Sequence, residues 1–112
     1  MKNLQISYLM DFYGNLLSDK QRDIMELYYG EDLSLAEIAA EIGITRQGVR
    51  DNIVRAEKEL LNFENALGLW QKFNGIISNM SRIRDIIKPG VTITDDDYSQ
   101  IVSLIDDVEN NV

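Results

Sequence analysis

Residues 34–60, SLAEIAAEIGITRQGVRDNIVRAEKEL, decide the fold of this chain. Ser34 favours a helix N-cap, and Glu37, three positions later, completes the pattern of a capping box. Gly43 permits the left-handed conformation that commonly ends a helix. Thr45 then offers a second N-cap, after which a long helix begins. The stretch therefore predicts two helices joined by a tight turn, which is a helix-turn-helix.

Small and apolar residues predict how these two helices pack. Ala39 is small enough to let two steeply crossing helices touch. Five branched side chains are expected to hold the pair against a core: Ile38, Ile42, Ile44, Val49 and Ile53.

An outward face follows once Val49 and Ile53 point inward. In DNA-binding uses of this motif the second helix enters the major groove with its first turns leading. Arg46 and Arg50 can bind phosphates or guanine, and Gln47 can read adenine. We name as the recognition face the residues expected to bind nucleic acid: Thr45, Arg46, Gln47, Arg50, Val54 and Lys58.

Two residues favour the alternative that this motif is only a packing unit. Asp51 lies on the groove-facing side and repels phosphate. Gly48 costs about 1 kcal/mol of helix propensity relative to alanine and offers no contact. Both interpretations remain open at the level of sequence.

The composition bounds the class of protein. The chain has 112 residues, about one domain, and 45 % of them are apolar without strand-like alternation. We predict an all-α fold, a helix-turn-helix bundle with a long recognition helix, C-terminal helices and no wing. Cysteine and histidine are both absent. No catalytic residue, cofactor, small-molecule ligand or metal site is expected, so the chain is not predicted to be an enzyme. The run Asp95–Asp97 lacks the spacing of a calcium loop and fits the first turn of a helix.

Charge and hydropathy restrict partners and location. The net charge is −8, and residues 1–60 and 61–112 carry −4 each, whereas proteins that bind phosphate backbones are usually basic. Any nucleic-acid site must therefore be a local patch. No apolar run reaches membrane-spanning length and the start resembles no signal peptide, so we expect no membrane insertion and a cytoplasmic location.

The rest of the chain is predicted to form further helices. Residues 4–17 predict a helix with Leu4, Tyr8, Leu9, Phe12 and Leu16 inward. Ser18 caps a helix to about residue 29, and Thr94 caps the last helix. The long helix from residue 46 has no evident stop before Asn74-Gly75. We therefore expect a helix-turn-helix domain over residues 1–73 and a C-terminal helical extension over 74–112, packed on that domain or on a second subunit.

An apolar stripe on the long helix predicts a homodimer, because a short domain cannot cover it alone. Its later members are the expected self-association residues, which we name the pairing stripe: Leu60, Phe63, Leu67, Trp70 and Phe73. Stacking of Trp70 and Phe73 on a nucleic-acid base is the less favoured interpretation.

Several blocks resemble a known family. Residues 17–29, 33–39 and 45–60 resemble region four of sigma factors. A narrower resemblance, to the YlxM family of small bacterial proteins, rests on blocks within residues 8–73: Asp11-Phe-Tyr, Leu16-Leu, Lys20-Gln, Leu27-Tyr-Tyr, Ser34-Leu-Ala-Glu-Ile-Ala, Arg46-Gln and Asp51-Asn-Ile. It implies a cytoplasmic, all-helical protein tied to the signal recognition particle pathway, with no catalytic residues. This chain departs from the family at Gly48, where alanine is usual, and at Arg50, where an aromatic residue is usual.

Two functions follow as hypotheses. The first is a DNA-binding regulatory protein of the helix-turn-helix type, linked to the signal recognition particle pathway and working as a homodimer. The second is an accessory factor of that targeting machinery, whose acidic surface docks on a basic partner without reading DNA sequence.

Overall fold

The computed structural model describes residues 2–111, which form six α-helices and no strand. The prediction of an all-α fold is confirmed. The helices are α1 (Leu4–Tyr13), α2 (Asp19–Met25), α3 (Leu35–Ile42), α4 (Arg46–Leu67), α5 (Leu69–Ile86) and α6 (Asp95–Asn110). The contacts divide the chain into an N-terminal unit, Met1–Gly68, and a C-terminal unit, Leu69–Val112.

Side-chain caps fix where four helices begin. The capping oxygen of each accepts the backbone N–H three residues later: Ser18 from Gln21, Ser34 from Glu37, Thr45 from Gly48 and Thr94 from Asp97. The reciprocal bond of a capping box is present at all of these except Thr45. The predicted caps are confirmed, and each contributes about 1 kcal/mol.

The N-terminal unit has one apolar core, to which α1, α2, α3 and α4 all contribute. Its buried side chains are Ile6, Leu9, Tyr13, Leu17, Ile24, Met25, Ile38, Ala39, Val49, Ile53, Ala56 and Leu60. Because α4 supplies four of these residues over its first fifteen positions, the rotation of α4 about its axis is fixed by burial.

The inward face of α1 differs from the predicted one. Of the residues expected inward, Leu4, Tyr8 and Leu16 are exposed. Leu9 is buried as predicted, but it packs together with Ile6 and Tyr13, which were not among the predicted residues. These residues also have helical spacing, and α1 ends at Tyr13 before a 3-10 turn, Gly14–Leu16, rather than at residue 17. The sequence alone cannot show which of two apolar stripes with the same period faces the core, because that depends on the packing partner.

Two tyrosine–glutamate pairs tie α4 to preceding elements. The Tyr13 hydroxyl donates to Glu64 Oε1 over 2.7 Å, and the Tyr29 hydroxyl donates to Glu57 Oε2 over 2.8 Å. Tyr29 lies in a π turn, Glu26–Gly30, where the sequence predicted the continuation of α2. Partial burial and then the bond to the Glu57 carboxylate raise the pKa of Tyr29 well above its ordinary value of 10.0.

This raised pKa predicts a loss of stability in alkali. Above about pH 10 the unfolded chain releases the Tyr29 proton while the folded chain retains it. The stabilisation is therefore present below pH 10 and declines as pH rises towards the folded-state pKa. We expect urea unfolding to show a steeper alkaline decline for the wild type than for Tyr29→Phe. Parallel curves for the two proteins would contradict this prediction.

The loop before α3 is anchored to the start of the chain. Lys2 Nζ donates to the Tyr28 carbonyl, pairs with Asp32 Oδ1 at 2.6 Å and lies 4.1 Å from the Tyr28 ring centroid. The bond from Lys2 lowers the pKa of Asp32. Asp32 has a φ of +56°, in the left-handed region, two residues before the cap of α3.

The C-terminal unit is an antiparallel hairpin of α5 and α6. A turn over residues 88–91 reverses the chain, with the Val91 N–H donating to the Lys88 carbonyl over 3.2 Å and Gly90 at a φ of +78°. The buried Asn79 amide donates to the Leu104 carbonyl over 3.1 Å and to Asp107 Oδ2 over 2.8 Å. These two bonds set the register of the hairpin.

The long helix ends at Gly68 and not at the predicted Asn74-Gly75. Gly68 has a φ of +65°, and its N–H donates to the Glu64 carbonyl over 2.8 Å, which closes α4. Gly75 lies in the middle of α5 in a helical conformation. The boundary between units therefore falls after residue 68, five residues before the predicted one. A glycine signals a stop only where its backbone becomes left-handed, and this choice is not visible in the sequence.

Candidate nucleic-acid interface

The helix-turn-helix is formed by α3, a turn at Gly43 and α4. Gly43 has a φ of +83°, the left-handed conformation that the sequence predicted. The backbone N–H groups of Gly43 and Ile44 both donate to the Ala39 carbonyl, over 2.9 and 3.2 Å. Ile38 and Ala39 are buried under the crossing, while Ile42 is only half-buried. Of the five branched side chains expected to hold the pair against the core, Ile38, Val49 and Ile53 are therefore buried, and the two beside the turn are half-buried.

The recognition face points outward on α4. Val49, Ile53 and Ala56 are buried on the opposite side. All six residues of the recognition face are exposed: Thr45, Arg46, Gln47, Arg50, Val54 and Lys58. Val54, the one apolar member, is 52 % exposed. The structure thus brings the predicted residues together on one surface over the first four turns of α4.

Asp51 is bonded within this surface. The Gln47 side-chain amide donates to Asp51 Oδ1 over 2.9 Å, one helical turn along. The carboxylate therefore orients Gln47 with its oxygen away from Asp51. Adenine recognition uses both the donor and the acceptor of such an amide, so Gln47 must exchange one bond for another to read a base.

Gly48 leaves room for the cap of α4. Thr45 Oγ1 accepts the Gly48 N–H over 2.9 Å. A β-carbon at Gly48 would lie 3.1 Å from that oxygen and 3.6 Å from Ile44 Cδ1. The hydroxyl oxygen is the acceptor in this cap, so the cap does not use the Thr45 hydroxyl hydrogen.

Arg55 was missing from the predicted interface. It is exposed, and with Arg50, Asp51 and Val54 it lines an open surface depression on α4. The available signal was its spacing, since Arg55 follows Asp51 by four residues and so lies one turn further along the same side.

The charge of this surface is locally positive in an acidic chain. Residues 45–58 contain four basic side chains and two acidic ones, for a net +2. The acidic ones are Asp51, on the surface, and Glu57, which accepts from Tyr29. The interface therefore holds a small basic patch within a protein of net charge −8.

The other candidate sites have structural explanations. Asp97 accepts the Thr94 backbone N–H over 3.0 Å and completes a capping box, as a first-turn acid of α6. Among residues 2–111, no group of three side chains is arranged to hold a metal ion. In the same part of the chain, each helix is too short or too polar to cross a membrane.

The pairing stripe is only partly at the surface. Leu60 is fully buried in the core of the N-terminal unit, so the prediction that it contacts a second chain is wrong. Phe63 is half-buried and its ring centroid lies 5.9 Å from that of Tyr13. Leu67 and Phe73 are about half exposed, and Trp70 is half-buried. A break at Gly68 also divides the stripe between the two units.

Comparison with known proteins decides the family. The family model described as "Putative helix-turn-helix protein, YlxM / p13 like" matches residues 1–105. The chain belongs to this family. Among its relatives named UPF0122 protein, that of Bacillus thuringiensis (strain Al Hakam) is 39 % identical over 108 residues, 96 % of this chain and 97 % of the relative. That of Shouchella clausii is 43 % identical over 108 residues, 96 % and 94 % of the two chains. That of Desulforamulus reducens is 53 % identical over 70 residues, 62 % of this chain and 60 % of the relative.

Membership of the YlxM/p13-like family confirms the resemblance seen in residues 8–73. It also extends that resemblance, because the matched region continues through the turn at Gly90 and most of α6. Most of the C-terminal hairpin therefore lies within the region that the family model matches.

Proposed function

We propose that this protein is a DNA-binding regulatory protein that docks the first four turns of α4 in the major groove. The observation that carries the proposal is the shared exposure of the recognition face on a helix whose opposite side is buried. A helix in this position of a helix-turn-helix is the element that enters the groove. The family description, which names a helix-turn-helix protein, supports the same use.

The proposed roles follow from side-chain chemistry. Arg46 and Arg50 bind phosphate oxygens or a guanine edge, and Lys58 binds a phosphate. Val54 contacts a thymine methyl group, and Thr45 donates to a phosphate at the start of α4. With a local charge of only +2, affinity depends on few ion contacts, and a shallow salt dependence is expected.

A double variant tests this proposal. We expect Arg46→Ala/Arg50→Ala to weaken DNA binding about tenfold or more for each lost contact, and to lower the salt slope by about 1 for each phosphate contact removed. The measurement is fluorescence anisotropy with duplex DNA across a series of salt concentrations.

The matched control is Lys20→Ala/Arg22→Ala, which removes the same charge from α2, outside the recognition face and outside the C-terminal unit. It should leave the slope unchanged. Undetectable binding of the wild type at low salt, or an equal loss in both double variants, would overturn the proposal.

We further propose that the protein acts as a pair of identical chains in the cytoplasm. DNA-binding proteins of this class commonly pair, so that two recognition helices meet two half-sites. The exposed apolar side chains of the C-terminal unit support pairing.

A second candidate function is favoured by α6. This helix carries six acidic side chains and no basic one, and most of them are exposed. Such a surface suits a basic partner protein. The candidate partner is a component of the signal recognition particle, through the resemblance to the YlxM family, with this chain as an accessory factor that reads no DNA sequence. Binding of a purified particle component that Asp106→Asn/Glu109→Gln abolishes, together with absent DNA binding, would favour this candidate over the first.

A further inference from the structure

The helices of the C-terminal unit each carry two apolar stripes. The helices α5 and α6 contact each other, and their inner stripes are the buried and half-buried apolar side chains Ile76, Ile83, Ile101, Leu104 and Val108. One residue further along each helix runs a second stripe, which we name the outer stripe: Ile77, Met80, Tyr98, Val102 and Ile105. These five side chains are between 36 % and 66 % exposed.

The two halves of the outer stripe lie on one side of the hairpin. Successive residues of an α-helix are about 100° apart, so each outer stripe is turned by about 100° from its inner stripe. In an antiparallel pair the same step turns both stripes towards the same side. Polar residues such as Ser78 and Ser103 occupy the opposite side. Two apolar faces about a right angle apart are what each helix of a four-helix bundle requires.

The hairpin is poorly buried for its size. Among its described residues only Asn79 and Leu104 are buried, whereas the N-terminal unit buries twelve hydrophobic side chains. Units this small usually need a disulfide, a metal or association to supplement the core. The chain has no cysteine, and its described residues hold no metal-binding cluster. Association of this unit through its exposed apolar side chains would supply additional burial.

Charge identifies a second copy as the occupant. Residues 69–88, which contain α5, have four basic and one acidic side chain, a net +3. The α6 helix carries six acidic side chains and no basic one, a net −6. In a twofold pair the contact made by α5 of one copy on α6 of the other is made twice. A hairpin with one basic and one acidic helix is therefore complementary to itself.

We propose that two copies pair through the outer stripe to form a four-helix bundle, with the twofold axis parallel to the helices. This axis places the basic α5 of each copy on the acidic α6 of the other. The perpendicular alternative would place the two α5 helices face to face and the two α6 helices likewise, which like charges disfavour. The inference rests on the proposed pairing and names its surface, but it does not require DNA binding.

Sedimentation equilibrium without DNA tests the surface. We expect the wild type at micromolar concentration to have twice the 12.8 kDa mass of one chain. Ile77→Asp should weaken pairing about a hundredfold or more, because a charge replaces an apolar side chain at the interface. The matched control is Ser78→Asp, the same charge one residue away on the polar side, which should pair like the wild type.

A monomeric wild type would overturn both this inference and the proposed pairing. DNA binding would still be tested independently by the anisotropy measurement. A wild-type dimer that Ile77→Asp leaves intact would overturn the surface alone. Helical content measured by circular dichroism shows whether each variant is folded.

Cross-linking tests the axis with milder changes. Met80 and Ile105 adjoin Asn79 and Leu104, which are bonded to each other, so they lie at the same height on the hairpin. Because the chain has no cysteine, Met80→Cys and Ile105→Cys introduce unique thiols. Under mild oxidation we expect the mixture of the two variants to form the mixed disulfide in higher yield than either variant forms with itself. Equal or greater yields from the single variants would overturn the proposed axis.

Discussion

Replacing Leu60 by alanine is expected to lower the free energy of unfolding by about 2–5 kcal/mol. The Leu60 side chain is fully buried in the core of the N-terminal unit, so its removal leaves a cavity as well as losing apolar burial. Because the contact is internal to one chain, the loss should be the same at every protein concentration. Urea unfolding followed by circular dichroism measures it.

Leu67→Ala is the matched control for this prediction. Leu67 belongs to the same helix and the same predicted pairing stripe, but it is 49 % exposed. We expect its replacement to cost about 1 kcal/mol or less, since little cavity forms. If the two variants were equally stable, or if the loss at Leu60 vanished at high protein concentration, Leu60 would have to serve an interface rather than the core.

Alanine at Gly43 and alanine at Gly75 are expected to change stability in opposite directions. Apart from the adjoining backbone, no atom lies within 4 Å of where a β-carbon would lie at either glycine, so steric clash with packed neighbours plays no part. Gly43 has a φ of +83°, where a β-carbon costs about 1–2 kcal/mol. Gly75 is helical within α5, where alanine is better by about 1 kcal/mol. The two variants should therefore differ by about 2–3 kcal/mol.

Thermal unfolding of the two variants beside the wild type measures this difference. A Gly43→Asn variant is a useful control, because asparagine tolerates the left-handed region better than alanine. It should recover part of the loss. A destabilised Gly75→Ala would contradict the helical assignment through Asn74-Gly75, and a neutral Gly43→Ala would contradict the left-handed turn.

Local hydrogen-bonding signals made most of the fold predictable. Ser18, Ser34, Thr45 and Thr94 each place an acceptor three residues before the donor it caps, and the starts of four helices follow directly. Gly43 was equally informative because it follows an apolar helical pattern and precedes a cap. In each of these signals, the two groups that interact lie within one helical turn of each other in the sequence.

Choices that depend on distant partners were not predictable in the same way. The inward side of α1 could be chosen only after the core was known, since Ile6 and Tyr13 compete with Leu4 and Tyr8 at helical spacing. The end of α4 at Gly68 rather than at Asn74-Gly75 likewise depends on where the backbone turns left-handed. Because α4 ends at Gly68, the boundary between the two units also falls there and not after residue 73.

The surface of α4 was predicted residue by residue, but its internal bonding was not. The exposure of the recognition face followed from the burial of Val49 and Ile53. The bond from Gln47 to Asp51 could not be deduced, because a carboxylate on a helix has several donors within reach. Arg55 could not be assigned to this surface from the sequence for a similar reason, because its spacing from Asp51 is informative only once that side of α4 is known to be exposed.

The separation of the two sides of α4 has a consequence for how the family diversifies. Side chains that hold the helix in place point inward, while those that would choose a DNA sequence point outward and are exposed. Substitutions at exposed positions of this kind usually change folding free energy by no more than about 0.5 kcal/mol. Residues on the outward side of α4 can therefore be substituted during evolution without a change in the fold. Descendants of one ancestor can keep this architecture while the exposed side of α4 changes.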